Sequence, residues 1–469
     1  MDYDLVVIGG GAGGMGAART GVRRKKRTLL IQDGEIGGDC TFTGCVPSKA
    51  FIAAAGKGRT FEEAMASAHR AIETIAATED AAVFRHEGID VREGRARFVS
   101  SNEVEVDGIR IGADRFVIAT GAKPAVPNID GLRALDHLTS DDVWSLTALP
   151  ATLAVLGGGA IGSELAQAFS RLGAKVTIIE AADRLLSKEE PEVSAILEGV
   201  FRREGIDVRT NQKVSKVEEI GPGGRARVHV ETRVHGVTSA PVEVDRVLVA
   251  IGRRPITEGL DPAAAGVELD DRGFVKTDDF LKTTAANIWS VGDVAGKLQF
   301  THAADEMGRI AVGNAFGSFR QRRFRSERTP WVTFTSPEVG RVGLSEEEAA
   351  ERFPGGAQVA FLPMTEVDRA VAADETDGFV KVVTGPRWPV GNLAGGRIVG
   401  ATVMCSTGGE LIHEFALAIR SGMFPARVAM TTHAYPTWSM GVQKVVGQFF
   451  LDVEGRKAEP ARAGGSLRS

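Results

Sequence analysis

Two stretches of the chain, 148 residues apart, read almost alike: Leu5-Val-Val-Ile-Gly-Gly-Gly-Ala-Gly-Gly14 and Leu153-Ala-Val-Leu-Gly-Gly-Gly-Ala-Ile-Gly162. Each opens on consecutive apolar residues, the pattern of a strand buried on both faces in a parallel sheet. Each then runs through G-x-G-x-x-G into a helical stretch, Met15 to Val22 or Ser163 to Leu172, and on to a second apolar strand, Thr28 to Ile31 or Lys175 to Ile179. A second echo pairs Asp114-Arg-Phe-Val-Ile-Ala-Thr-Gly-Ala-Lys-Pro124 with Asp245-Arg-Val-Leu-Val-Ala-Ile-Gly-Arg-Arg-Pro255. One such glycine motif is weak evidence. Two of them, each in strand–turn–helix context and each with a matching later strand, predict two dinucleotide-binding folds in one chain.

The glycines have separate tasks. The first of each motif (Gly9, Gly157) makes the tight turn, the second (Gly11, Gly159) lets bare backbone approach a pyrophosphate, and the third (Gly14, Gly162) lets helix and strand close on each other. The helix N-terminus offers unpaired N–H groups to the phosphates, with Ile161 inside the second turn. The residue ending the second strand reads the adenosine ribose. In the later copy it is Glu180, whose carboxylate accepts from ribose hydroxyls and repels a 2′-phosphate, so NADH is favoured, with Arg184 nearby working against that preference. In the first copy the position holds Gln32, followed by Asp33; glutamine can still bond a ribose but is not the usual acid.

A chain of 469 residues has room for about three domains at ~150 residues each. Its formal net charge of -5 advertises neither nucleic acid nor an anionic membrane as a partner. No apolar run approaches the ~18 residues of a membrane span, and Met1 to Gly11 is a strand running into glycines, not a signal sequence. A cytoplasmic protein is expected. Three cysteines are too few for a secreted disulfide framework. Cys40 and Cys45 lie close together, while Cys405 stands apart without a role. No second cysteine pair exists to complete a four-ligand structural zinc site, so no resident metal is expected. The basic run Arg23 to Arg27 reads as solvated surface at a helix C-terminus. Phe316 to Arg328, which interleaves phenylalanines such as Phe319 with arginines, reads as a helix ending in a linker and not as an RNA contact.

Between the two copies lies Gly37-Gly38-Asp39-Cys40-Thr41-Phe42-Thr43-Gly44-Cys45-Val46-Pro47-Ser48-Lys49. Pro47 suits the first turn of a helix, and a helix opening near Cys45 lowers a thiol's pKa there. The string C-x4-C-V-P-S-K is highly specific. On it the sequence closely resembles the class I pyridine nucleotide–disulfide oxidoreductases, the family of dihydrolipoamide dehydrogenase, glutathione reductase and mercuric reductase, over nearly the whole chain from about Asp2 to Leu451. The resemblance implies an α/β fold: two Rossmann-like dinucleotide-binding domains, for FAD and NAD(P), plus a C-terminal α+β dimerisation domain. Residues 1–148 would form the FAD-binding domain with the redox-active disulfide, 149–272 the NAD(P)-binding domain, 273–329 a return to the FAD-binding domain and 330–455 the interface domain. Residues 456–469, rich in Ala, Gly, Arg and Ser, would be a disordered tail. A homodimer is implied, each active site completed by the partner subunit's Tyr435 region.

Carried over position by position, the resemblance makes Cys40 the interchange thiol that meets substrate and Cys45 the thiolate against the flavin. Lys49 resembles the flavin-facing lysine and Glu164 its ion-pair partner. Ala119-Thr120-Gly121 matches the crossing between dinucleotide domains, and Gly94-Arg95-Ala96 matches a contact with the FAD adenine. Ile288 to Asp293 resembles the second FAD signature, with Asp293 on the ribityl chain and Thr301 near the flavin. Asp39 and Gly252 complete the cofactor-binding set. Phe334 to Gly340 and Gly409 to Glu414 resemble the interface domain, where His413 is structural.

The pattern breaks near the end. Disulfide reductases of the family place His-Pro-Thr there, with a glutamate four residues after the proline. This chain reads Thr432-His433-Ala434-Tyr435-Pro436-Thr437-Trp438-Ser439-Met440, with Tyr435 in the histidine's place and Met440 in the glutamate's. Tyrosine, with a pKa of ~10, is a poor base at pH 7, and a well-placed acid/base contributes ~10²–10⁴-fold. The expected activity is therefore electron transfer from NAD(P)H, through FAD and the Cys40–Cys45 disulfide, to an unusual acceptor: a metal ion, a quinone or a nonstandard disulfide. Mercuric reductases carry a tyrosine at this position, where it helps hold the metal, but Gly455 to Ser469 lacks their vicinal cysteine pair. Two alternatives stand beside this. One is a dihydrolipoamide dehydrogenase-type enzyme with His433 as substitute base, since residues i and i+2 of an extended segment share a face. The other is a redox-responsive sensor flavoprotein with slow turnover.

Overall fold

The computed structural model describes residues 1–232, 240–317, 320–464 and 467–468. The chain divides into two compact units. The first comprises Met1–Pro127, Leu138–Leu149 and Leu248–Ser326, and the second Asn128–His137, Pro150–Val247 and Glu327–Ser469.

In the first unit, strand β1 (Tyr3–Ile8) is central because both its faces are apolar: Leu5 and Val7 enter the core on one side, Val6 and Ile8 on the other. It pairs in parallel with β2 (Thr28–Gln32) and with Ile109–Ile118. The sheet runs Asp90–Glu93, β2, β1, Ile109–Ile118, Glu103–Val106, Arg97–Ser100, and Ile288–Ser290 also pairs with Ile109–Ile118. Helix α1 (Ala12–Arg23) packs against helix Thr301–Ala315 through small residues; a Cβ on Gly308 would fall 2.3 Å from the Gly13 carbonyl oxygen. Two short helices, α2 (Gly38–Phe42) and α3 (Cys45–Gly56), follow β2.

The second unit opens on the same plan. Strand β3 (Thr152–Leu156), helix α4 (Ala160–Arg171) and strand β4 (Lys175–Ile179) repeat β1, α1 and β2, with β4 parallel to β3 and to Asp207–Arg209. Helix α5 (Pro191–Arg203) and a three-stranded antiparallel sheet, Gln212–Gly221, Arg225–Thr232 and Val242–Val244, complete this half. The C-terminal half is an antiparallel sheet in the order Trp331–Thr333, Glu338–Gly343, Arg397–Cys405, Phe379–Gly385, Gln358–Pro363, Glu459–Pro460. Helices Gly408–Ser421 and Met440–Gly447 contribute Ile412, Phe415, Val442 and Val445 to its core. Two Rossmann-like folds and a C-terminal α+β fold are thus present.

Two expectations need correction. The chain rejoins the first unit at Leu248, well before residue 273; Arg253–Pro255 pairs with Ala122–Pro124. The second echo itself marks that crossing, because its two copies end in these paired strands. The tail from 456 is not disordered throughout: Glu459–Pro460 adds a strand to the sheet edge, and Arg468 bonds a buried carboxylate at Glu346. Its composition reads as disorder because the carboxylates that hold Arg462 and Arg468 lie far off in sequence or in the tail itself. Helix Thr301–Ala315 ends before the Phe/Arg stretch, with Asn314 bonded to the Arg322 backbone; Phe319 lies outside the described residues. Among the described residues no helix is long and apolar enough to cross a membrane, and no group of three or more His, Cys, Asp or Glu suits a metal ion.

Candidate active site

The two glycine turns are built alike down to their side-chain ties. Gly10 N–H donates to Gln32 Oε1 (2.5 Å), and 148 residues on Gly158 N–H donates to Glu180 Oε2 (2.6 Å). A Cβ on Gly14 would lie 1.8 Å from Gly9 O, and one on Gly162 2.0 Å from Gly157 O, so neither position tolerates a side chain. Gly11 and Gly159 begin α1 and α4 with no side-chain cap, which leaves first-turn N–H groups for an anion. In the first turn a Cβ on Gly9 would meet Ala119 O at 2.3 Å. Gln32 Nε2 donates to the carbonyls of Asp33 and Glu35 (3.0 and 3.1 Å), fixing the amide with its oxygen toward the turn. Asp33 pairs with Arg95 at 2.9 Å, and Ala96 is buried behind it. Bare turn and locked ribose-side amide fit FAD. Thr120 Oγ1 donates to Ile256 O (2.6 Å) and Ile256 N–H to Gly121 O (3.0 Å), which anchors the Ala119–Gly121 crossing.

The redox segment sits in the same unit. Cys40 lies in α2 and Cys45 opens α3, with Gly44 between them, where a Cβ would stand 2.8 Å from Asp39 O. The glycine lets the chain reverse tightly enough for the sulfurs to meet. Cys40 is hydrogen-bonded to Cys45, and this bond, burial and negative charge on Cys45 push the Cys40 thiol far above its ordinary value. Cys45 Sγ is 3.5 Å from Thr301 Oγ1. Pro47 is buried in the first turn of α3, and Lys49 stands one turn beyond Cys45, on the same helix face.

Sequence reasoning missed Arg253. Its guanidinium ion-pairs with Asp39 and, at 3.2 Å, with Asp293, and donates to the Ala122 carbonyl. Burial raises the Asp293 carboxyl and lowers the Arg253 guanidinium, while their mutual attraction opposes both shifts. The arginine thus joins two expected cofactor-binding residues far apart in sequence. The signal was in the echo, which aligns Arg253 with Ala122 and so places a charge where the first copy has none. Gly252, at φ +136°, falls in this unit and accepts from Ala125 N–H (2.9 Å).

In the second unit, Glu180 uses its other oxygen to accept Ala182 N–H (2.6 Å). Arg184 donates to the carbonyls of Ser187 (2.7 Å) and Glu189 (3.2 Å). Ile161 is exposed in the first turn of α4. Glu164 is buried and accepts Phe334 N–H (2.7 Å). His433 and Tyr435 do not share a face. The imidazole is turned inward, its side chain 6% exposed, with Nε2 3.1 Å from Glu414 Oε1 and Nδ1 2.8 Å from Thr431 O. Tyr435 is 70% exposed. Both histidine nitrogens lie within hydrogen-bond distance of oxygen atoms of this chain, one a carboxylate and one a backbone carbonyl. A bond to Asp368, with that carboxylate's charge, raises the Tyr435 phenol above its ordinary 10, so it stays protonated at neutral pH. Met440 opens helix Met440–Gly447.

Residues 3–308 match the family described as pyridine nucleotide-disulphide oxidoreductase, and residues 329–446 its dimerisation domain. A mercuric reductase of Bacillus cereus is 35% identical, covering 96% of this chain and 72% of its own length. A dihydrolipoyl dehydrogenase of Thermus scotoductus is 34% identical, covering 94% of this chain and 96% of its own. Among solved structures, the HOCl-induced flavoprotein disulfide reductase RclA from Escherichia coli superposes with a TM-score of 0.84 at 30% identity, over 95% of this chain and 99% of that one. Its Cu(II) complex gives the same TM-score at 29% identity, with the same coverage.

Proposed function

The chain belongs to the pyridine nucleotide-disulphide oxidoreductase family, and from that premise we propose that it carries electrons from NADH to a soft metal ion, such as Hg(II) or Cu(II), through Cys40 and Cys45. Bound FAD supplies the two-electron relay between nicotinamide and sulfur. Two electrons reduce one Hg(II) to Hg(0), or two Cu(II) to Cu(I), and the proton left from NADH goes to water. Cys40 meets the acceptor, Cys45 holds the thiolate, and Thr301 steadies both sulfurs. Lys49 brings its ammonium to the flavin side of α3. NADH is preferred because Glu180 presents a carboxylate to the ribose, while Arg184 is committed to backbone carbonyls.

Identity does not choose between acceptors, since mercuric reductases and dihydrolipoyl dehydrogenases match equally well. The observation that carries the choice is the state, among the described residues, of the two side chains that stand in the dyad's place: the phenol of Tyr435 is held protonated, and both nitrogens of His433 lie against oxygen atoms of this chain. Dihydrolipoamide must surrender two protons at the sulfurs; a metal ion need not. One observation favours a lipoamide reading, namely the His433–Glu414 pair, which resembles a histidine–glutamate dyad moved two residues upstream. Its burial counts against it. A homodimer, supported by the dimerisation-domain match, would bring the partner subunit's Tyr435 to each cysteine pair as a neutral oxygen ligand.

An acceptor panel with NADH tests the reading. Hg(II) or Cu(II) turnover is expected to exceed lipoamide turnover by about 10²-fold, the low end of what a missing acid/base costs. Tyr435→Phe should lower metal turnover while sparing flavin reduction. Lipoamide turnover equal to that of the metals would reject the acceptor. Rapid reduction by NADH with no competent acceptor would make the protein a sensor.

A further inference from the structure

Glu459, Arg462 and Arg468 take no part in the chemistry proposed above, yet they are fastened to charges that water hardly reaches. The Arg468 guanidinium lies 2.9 and 2.5 Å from the two oxygens of Glu346 and 2.7 Å from Glu459, and Arg468 N–H donates to Glu192 (2.9 Å). Lys381, 1% exposed, stands 3.1 Å from Glu346, 3.1 Å from Glu190 and 2.7 Å from Glu192. Without Arg468, three buried carboxylates would share one ammonium. Such a cluster takes up a proton or opens.

Glu190 closes the loop 181–190, which begins directly after Glu180. The same loop leans on the glycine turn: Leu186 N–H donates to Gly158 O (2.9 Å), and Leu185 is buried where a Cβ on Gly158 would meet its Cδ2 at 2.5 Å. Gly158 in turn is tied to Glu180. An unbroken run of contacts therefore leads from Arg468 through Glu346, Lys381 and Glu190 into the loop, and from its leucines to the turn.

We propose that Glu459, Arg462 and Arg468 act as a strap that fixes the loop 181–190 through this charge cluster and thereby sets the affinity of the second dinucleotide fold for NADH. The proposal rests on the reading of that fold as the NADH site. Arg468 and Lys381 are then positioning residues. They touch no reactant, and they act on nucleotide binding and not on the electron-transfer step.

Anaerobic stopped-flow reduction of the FAD-loaded full chain separates the two quantities, giving an apparent Kd for NADH and a limiting rate. Arg468→Gln is expected to raise the Kd about tenfold, within the range usual for coupled sites, and to leave the limiting rate and the KM for Cu(II) nearly unchanged. Glu459→Gln loosens the strap from its exposed end and keeps every buried charge; a rise of roughly twofold is expected, as for loss of an exposed ion pair. A wild-type Kd in Arg468→Gln overturns the proposal. So does a fall in limiting rate together with affinity, which would mark a general structural role. If Arg468→Gln does not fold, an unchanged Kd in Glu459→Gln is decisive against the strap. Wild-type protein that NADH fails to reduce removes the NADH reading itself, a different failure from intact reduction with indifferent variants.

Discussion

Cys40 and Cys45 were legible from the sequence because their spacing and the Val-Pro-Ser-Lys that follows are specific. What raises the Cys40 thiol was not, since it depends on contacts that the fold creates. The Cys40 thiol is raised chiefly by its bond to Cys45, then by burial and by the charge on Cys45. Cys45→Ala removes the first and third of these causes, so alkylation of Cys40 by iodoacetamide should gain rate at lower pH than in the parent protein. A rate–pH profile of each tests this; superimposable profiles would mean that burial alone sets the thiol. The roles of Arg253 and Asp368 were hidden for a related reason. Each matters through a partner distant in sequence, Asp39 and Asp293 for the first and Tyr435 for the second, and the echo that contains Arg253 marks its position without showing those partners.

Strands, glycine turns and first helices were readable because hydrophobic period and bare backbone leave local traces. β1 and β3 announce themselves as apolar runs, and the turns after them as glycine at fixed intervals. The third glycine of each turn gives a matched pair of tests. Gly14→Ala and Gly162→Ala both drive a Cβ into a carbonyl oxygen, at 1.8 and 2.0 Å, and overpacking of this kind costs about 1–3 kcal/mol. Gly14→Ala should purify with less flavin. Gly162→Ala should keep its flavin and lose NADH affinity, which absorbance and reduction kinetics report directly; the reverse pattern would exchange the two folds. One element was misread: the edge strand Glu459–Pro460 hid in a composition typical of loops. Nothing local to His433 revealed its contact with Glu414 on helix Gly408–Ser421.

The second unit owes part of its stability to charge. Burial pushes the Glu346 carboxyl upward, but Arg468, Lys381 and the Arg462 N–H outweigh it and hold the group below its ordinary 4.5. A carboxyl depressed in the folded state contributes stability that is full above its unfolded value and is lost as pH falls through the folded one. The thermal midpoint should therefore drop below about pH 4.5. Glu346→Gln should unfold more easily at neutral pH, by about 3–5 kcal/mol for a broken buried pair, and lose the part of the acid drop that Glu346 supplies. An unchanged acid limb in that variant would assign the drop to other carboxylates. The architecture also fixes an order of construction. The first unit is assembled from separated stretches, and Phe116–Ile118 gains its outer neighbour only when Ile288–Ser290 arrives. At ~5–20 residues per second the ribosome needs roughly 10–30 s to span that interval. Throughout it the edge of Phe116–Ile118 waits for its partner, an unpaired hydrophobic strand edge of the kind a chaperone has reason to shield.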